Sequence, residues 1–348
     1  MQHYDVVVVG GGIAGVSIAH ELAADRSVCV LEAERELAAH TTGRSAATWV
    51  AGYGPPVVQE LTLASRAFFD DPPLDVPGPL AVPLPCLYVG TAETADAAAL
   101  ADGVVAATGG SAVTPEEAER LAPVLRPGAV TCAVLDPTAA ELDVHGLHQG
   151  YVRGLRSRGG VVRRSAALVA ARRAGGSWHL TTAEEELTAD VVVNAAGAWA
   201  DQVGALLGSR GHGLEPRRRS VFVSPTTAAV DGLPFTCDLA GGWYVKAEGD
   251  AVLCSPEDAS PHEPGDPRAD ELEIARAMEA INDVTTLGLR SVRTTWAGLR
   301  TFAPHGEPVA AWDADADGLF WLAGLGGYGI QIAPALATRS AAAVRGVG

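Results

Sequence analysis

Gly10, Gly12 and Gly15 stand at G-x-G-x-x-G spacing, and Glu32 follows one strand-length after the next apolar helix. Gly10 permits a tight turn, Gly12 removes the side chain that would block a pyrophosphate, and Gly15 lets a helix lie close to a strand. Phosphates would then meet free N–H groups and the positive end of a helix dipole. Glu32 stands where an acid accepts bonds from both hydroxyls of an adenosine ribose. The same acid repels a 2′-phosphate, which argues against NADP and leaves FAD and NAD open. Two further small-residue stretches suit backbone packed against a long ligand: His40 to Ala47, where Arg44 can meet a phosphate or carboxylate, and Asn194 to Trp199. A third, Gly324 to Gln331, places four glycines ahead of a helix, which costs entropy unless something must lie close to the backbone.

The elements that must position these residues follow from apolar periodicity. Asp5 to Val9 reads as a strand buried on both faces, and Ile13, Val16, Ile18, Leu22 and Ala23 recur at helical spacing. Val28 to Leu31 is a second buried strand ending in Glu32. Helices are expected at Val57–Phe69, Ala92–Ala107, from Asp143 to Leu155, Asp201–Leu207 and Asp270–Ile281, with a last one ending near Val344. Thr114-Pro115-Glu116-Glu117 is a capping box opening a short helix. Strands are expected at Cys86–Gly90, Ala129–Leu135, Ala189–Val193 and Leu319–Ala323. Val161–Arg173 and Ser177–Thr182 read as a hairpin across Gly175-Gly176. Arg219–Ser224, Trp243–Ala247, Ala251–Cys254 and Arg290–Phe302 alternate like an antiparallel sheet. Asp70–Pro85 is a proline-rich connector, and Glu257–Asp270 reads as a polar surface loop.

Bulk properties narrow the class. The 348 residues give ample core for one large or two interleaved domains, and 48% hydrophobic residues is normal for a globular enzyme. A net charge of −17 argues against nucleic acid and anionic membranes. Five scattered cysteines without a C-x-x-C pair make disulfides and zinc unexpected and favour a reducing, cytoplasmic setting. No secretory leader and no membrane-spanning run is read.

GGGIAG near the start, the T-G-R-S-A-A loop, V-V-N-A-A-G-A-W in mid-chain and the terminal G-G-Y-G-I-Q together resemble the D-amino-acid oxidase superfamily of flavoenzymes. HTTGRSAA, LTLASRAFF, LHQGYVRGLR, RRRS and TWAGLRTF, in that order, are most similar to its bacterial D-arginine dehydrogenases. The resemblance implies FAD, held non-covalently, and an α/β architecture. A Rossmann-like FAD-binding domain (1–80, 141–210 and 298–348) would be interleaved with a substrate domain (81–140 and 211–297) on a mixed, largely antiparallel sheet. It places Gly10, Gly12, Ile13, Ala14, Gly15, Glu32, Ala33, Arg44, Ser45, Ala46, Val169, Ala196, Gly197 and Trp199 around the cofactor. From the last glycine stretch it adds Gly326, Gly327, Tyr328, Gly329, Ile330 and Gln331. No metal is implied.

The activity implied is hydride transfer from the α-carbon of a D-amino acid to flavin N5, giving an imino acid that water hydrolyses to the 2-oxo acid and ammonia. The flavin carries the chemistry and the protein the positioning. Arg219 and Arg300 fall at the family's carboxylate-binding positions, and a planar guanidinium suits that task. Tyr53 and Tyr244 match tyrosines that reach the same carboxylate, Gly327 matches a glycine whose carbonyl faces the amine, and Gln331 lies one turn on. The chain departs from the D-arginine dehydrogenases at Thr48, where they carry histidine, and at Cys86, where they carry the glutamate that pairs with a guanidinium substrate. Thr48, Val50 and Cys86 would form a small, mostly apolar pocket end, so a neutral side chain is expected rather than arginine. Rival readings are a glycine- or sarcosine-type or other secondary-amine oxidase in a biosynthetic pathway, and a non-catalytic flavin-binding protein. The small-molecule substrate is an amino acid or amine; the electron acceptor (quinone, other acceptor or O2) has no motif.

Overall fold

The computed structural model describes residues 1–346, so the last two residues of the expected 298–348 segment lie outside the described residues. Two large sheets divide the molecule. The first has eight strands and carries the parallel set predicted from the valine runs: Gln2–Val9 lies between Val28–Leu31 and Glu186–Asn194. Leu319–Ala323 adds in parallel beyond Glu186–Asn194. Val7 and Val8 have no exposed surface, and each buried valine contributes about 1.5–3 kcal/mol. Helices Ile13–Leu22 and Gly329–Arg345 cover one face, where Val8, Ile18, Leu22, Ile332 and Leu336 share a core.

The second sheet has nine strands. Glu215–Pro225 and Thr294–Phe302 form its longest antiparallel pair, and the parallel pairing of Phe235–Asp238 with Cys86–Thr91 makes the sheet mixed. Strand Thr294–Phe302 lies wholly in this sheet, so a domain division at 298 falls inside a strand. A small sheet of Thr48–Trp49, Ala81–Pro83 and Ala140–Leu142 joins the two.

Local signals resolve as the residues dictate. Thr114 caps Pro115–Leu121 by accepting from the Glu117 amide at 3.2 Å, and Asp143 caps Val144–Ser157 by accepting from Gly146 at 2.8 Å. Three expectations change. The Val57–Phe69 helix is two helices, Pro56–Ala64 and Arg66–Asp70, meeting at Ser65. Val161–Arg163 leaves the expected hairpin to pair in parallel with Val28–Leu31, because Ser165 at φ 54° breaks the run. The hairpin is then Leu168–Ala174 with Ser177–Thr182. The expected surface loop at 257–270 turns inward at its start: the Asp258 side chain is 3% exposed and accepts from the Ser220 amide and hydroxyl. Among the described residues, no helix is long and apolar enough to cross a membrane.

Candidate active site

A cleft of three connected chambers runs from the ends of the parallel strands to the second sheet. The first is lined by Gly10, Gly12, Glu32, Ala33, Ala196 and Trp199. Gly12 and Thr42 pass into the second, which Ile13, Ala14, Arg44, Ser45, Ala46 and the glycines 326, 327 and 329 line. Ser45, Ala46, Gly327, Ile330 and Arg300 also belong to the third.

The glycine turn behaves as its spacing requires. Gly10 has φ 111°, and a Cβ there would meet the Ala195 carbonyl oxygen at 2.3 Å. A Cβ on Gly15 would meet the Gly10 carbonyl oxygen at 1.9 Å, so this glycine serves helix–strand contact. Gly12 differs: a Cβ there would meet nothing in the protein nearer than Thr42 Oγ1 at 3.2 Å and would stand in the cleft. Helix Ile13–Leu22 begins at Gly12 with no side-chain cap. Thr42, which the sequence did not single out, takes one of its amides, Ile13 N, at 3.0 Å. Glu32 accepts from the Gly11 and Glu34 amides, both at 2.8 Å, with one oxygen each. A carboxylate keeps further lone pairs for a diol after two such bonds. These features fit a dinucleotide: a helix start that its own N-cap glycine leaves open, a glycine whose Cβ would fill the cleft, and an oriented acid at the adjoining strand end.

Other expected cofactor residues behave differently. Arg44 lines the middle chamber, but its guanidinium donates to the Ala297 carbonyl at 2.8 Å and pairs with Asp266 at 2.6 Å. It therefore joins the loop to the second sheet instead of pointing a free charge at a ligand. Val169 is 52% exposed and off the cleft, at a register irregularity in its strand, whereas Ala166, Ala167 and Leu168 line it. Gly197 lines the first and middle chambers, and the neighbouring Trp199 packs on His40 at 4.6 Å between ring centroids. The Tyr328 ring packs edge-on against Tyr53 at 4.9 Å and against Phe302, leaving the glycines beside it to face the cleft.

The third chamber gathers Arg300, Tyr53 and Tyr244, and Arg219 lines the middle chamber beside them. Register places Arg219 opposite Gly298 and Arg300 opposite Arg217, so the two arginines are diagonal neighbours on one face of the second sheet. Arg300 Nη1 donates to Tyr53 Oη at 2.7 Å. A Cβ on Gly327 would lie 2.7 Å from Arg300 Nη1, so the guanidinium rests against backbone that only glycine leaves open. Burial works against the Arg300 charge, but Tyr53, Tyr244 and Glu257 more than offset it and its pKa is raised. Among the described residues Arg300 makes no ion pair. The Tyr244 hydroxyl and Arg219 Nε are buried without a hydrogen-bond partner. Burial pushes Tyr244 up to about 12 against the pull of Arg300 and Arg219, so it remains a neutral donor. Arg219 Nη1 meets Glu257 at 3.2 Å, a residue the sequence had assigned to a surface loop.

Beyond the clamp the chamber is lined by Thr48, Val50, Tyr88, Val104, Phe235 and Leu239. Cys86 is not on this wall. It is fully buried, its sulfur 3.7 Å from that of Cys237, and parallel pairing sets it opposite Phe235, so Phe235 and Cys237 line the chamber in its place. Gln331 lines the chamber, but its amide is spent: Oε1 accepts from Val50 N at 3.1 Å and Nε2 donates to Thr62 Oγ1 at 2.8 Å. It positions Val50 and offers nothing to a substrate amine.

A sequence profile described as "DAO: FAD dependent oxidoreductase" matches residues 5–343. Human mitochondrial dimethylglycine dehydrogenase is 29% identical over 149 residues, which cover 41% of this chain and 17% of that much longer protein. Glycine oxidase from Geobacillus kaustophilus superposes with a TM-score of 0.84 at 20% identity, over 99% of this chain and 95% of that one. L-α-glycerophosphate oxidase from Mycoplasma pneumoniae, solved with FAD bound, reaches 0.90 at 15% identity with the same coverage, 99% and 95%.

Proposed function

The chain belongs to the family of FAD-dependent oxidoreductases, and from that membership we propose that it oxidises the α-carbon of an amino acid held by its carboxylate on Arg300. The fold is shared with a glycine oxidase and a glycerophosphate oxidase, so architecture alone does not choose the substrate. The observation that carries the reading is the clamp: an enclosed guanidinium without an ion pair, beside an unpartnered Tyr244 hydroxyl and an unpartnered Arg219 Nε. A substrate carboxylate would satisfy these donors together.

The cofactor's part is to accept the two electrons and the hydrogen from the α-carbon. The protein's part is placement. Arg300, with its orientation set by Tyr53 and Gly327, and Tyr244 fix the carboxylate. The two guanidinium groups disfavour an ammonium beside them, an effect that Glu257 and the substrate carboxylate partly offset. The imino acid released is hydrolysed by water to the 2-oxo acid and ammonia. FAD is held without a covalent bond in this reading.

The finer reading is a D-amino acid with a neutral side chain. Val50, Val104, Phe235 and Leu239 support it, since they give an apolar side chain a place to desolvate beyond the clamp. The likeness to D-arginine dehydrogenases rests on the sequence segments; the two acids on the chamber wall, Glu257 and Asp238, are engaged by Arg219 and by backbone amides, which favours neutral side chains over arginine. The test is anaerobic bleaching of the visible flavin band across D-, L- and N-methyl amino acids with glycine and sarcosine. Fast bleaching by D-leucine, D-methionine or D-phenylalanine is expected. Reduction by glycine or sarcosine alone would replace the side-chain reading, and no reduction by any of them would overturn the enzyme's proposed substrate class.

A further inference from the structure

Glu257 lies in the substrate chamber with its side chain 19% exposed, paired with an Arg219 side chain that is 11% exposed. Its backbone is left-handed, φ 54°, a conformation disfavoured for a residue with a Cβ and held only where the surroundings impose it. The surroundings do so from both sides. The Glu257 amide donates to Ser255 Oγ at 3.1 Å, and the next residue, Asp258, is fixed by the Ser220 amide and hydroxyl and by Arg218. The second acid on the chamber wall, Asp238, is engaged with its own turn, accepting from the Ala240 and Gly242 amides.

We propose that Glu257 sets the charge selectivity of the substrate chamber. It takes up the charge of Arg219, so that one guanidinium remains for one substrate carboxylate and a second carboxylate is turned away. With Glu257 ionised, the two arginines and the acid leave a single net positive charge, which one α-carboxylate matches. Without it two positive charges remain, and a dicarboxylate would match them. The carboxylate also presents like charge to any acidic side chain entering past the clamp, where low exposure leaves little water to screen it. The proposal rests on the reading of Arg300 as the carboxylate anchor.

The test compares isosteric pairs that differ only in charge. Wild-type enzyme is expected to prefer D-glutamine over D-glutamate in kcat/KM, and Glu257→Gln to narrow that preference by roughly tenfold or more. Glu257→Asp, which keeps the charge, is expected to keep the preference. A second arm needs no turnover: the oxidised flavin spectrum is titrated with succinamate and succinate, and E257Q is expected to tighten succinate selectively. If no amino acid reduces the flavin, the substrate reading falls and the titration alone decides the selectivity. A preference unchanged within about twofold in E257Q, or lost equally in E257D, overturns the proposal. If E257Q does not accumulate with flavin, Glu257→Ala in the same titration decides it by the same criterion.

Discussion

Arg300 donates to the Tyr53 hydroxyl oxygen at 2.7 Å, joining the second sheet to the turn ahead of helix Pro56–Ala64 across 247 residues of chain. The bond aims a guanidinium that has no ion pair, and the aim depends on its planar fork. Arg300→Lys should therefore lower kcat/KM roughly a hundredfold, about 3 kcal/mol, and Tyr53→Phe roughly tenfold. Steady-state kinetics on the best substrate check this, with the Tyr53→Phe loss expected mainly in KM because its role is to orient a binding group.

Two glycines of one motif should fail in different ways. A Cβ on Gly15 would enter the Gly10 carbonyl at 1.9 Å, whereas a Cβ on Gly12 meets only Thr42 Oγ1 at 3.2 Å. Gly15→Ala should lower the melting temperature of flavin-free protein. Gly12→Ala should leave that temperature nearly unchanged and reduce flavin content, read from the ratio of visible to ultraviolet absorbance.

Gln331 is 2% exposed and ties Val50 and Thr62 to the last helix. Gln331→Ala strands the buried Val50 amide and should cost about 1–3 kcal/mol, measured by urea denaturation. If its amide served the substrate instead, stability would hold and KM alone would change.

His20 is buried, with Nδ1 unpaired and its ring against the Tyr151 ring. Burial, with a smaller push from Arg158, lowers its pKa from 6.5 to about 4. The unfolded chain therefore takes up the proton first, and this contribution to stability is lost as pH falls from 6.5 through 4. His20→Gln should give a shallower acid limb of stability against pH, followed by thermal denaturation over that range.

The cofactor half of the site was legible because its causes are local. Gly10 and Gly15 must be glycine to avoid backbone oxygens within a single strand–turn–helix unit, and the apolar runs around them have clear periods. Thr42 was harder to read, since a threonine in a loop gives no sign that it takes an amide 29 residues away. Val169 and Cys86 were misplaced for different reasons: Val169 sits at a break in the register of its strand, and Cys86 shares the face of Tyr88 and Phe235 but is covered by side chains from strands distant in sequence.

The sequence by itself determined the dinucleotide turn, the parallel valine strands and the helix caps at Thr114 and Asp143. Those properties depend on residue type and short spacing, which survive without knowledge of the fold. Only the tertiary structure decided that Arg219 is paired with Glu257 while Arg300 makes no ion pair among the described residues, that Gln331 bonds Val50, and that Cys237 and not Cys86 lines the chamber. Each of these is a long-range competition for hydrogen bonds or space, and its outcome is set by strand register and by a loop turning inward, neither of which is encoded near the residues concerned.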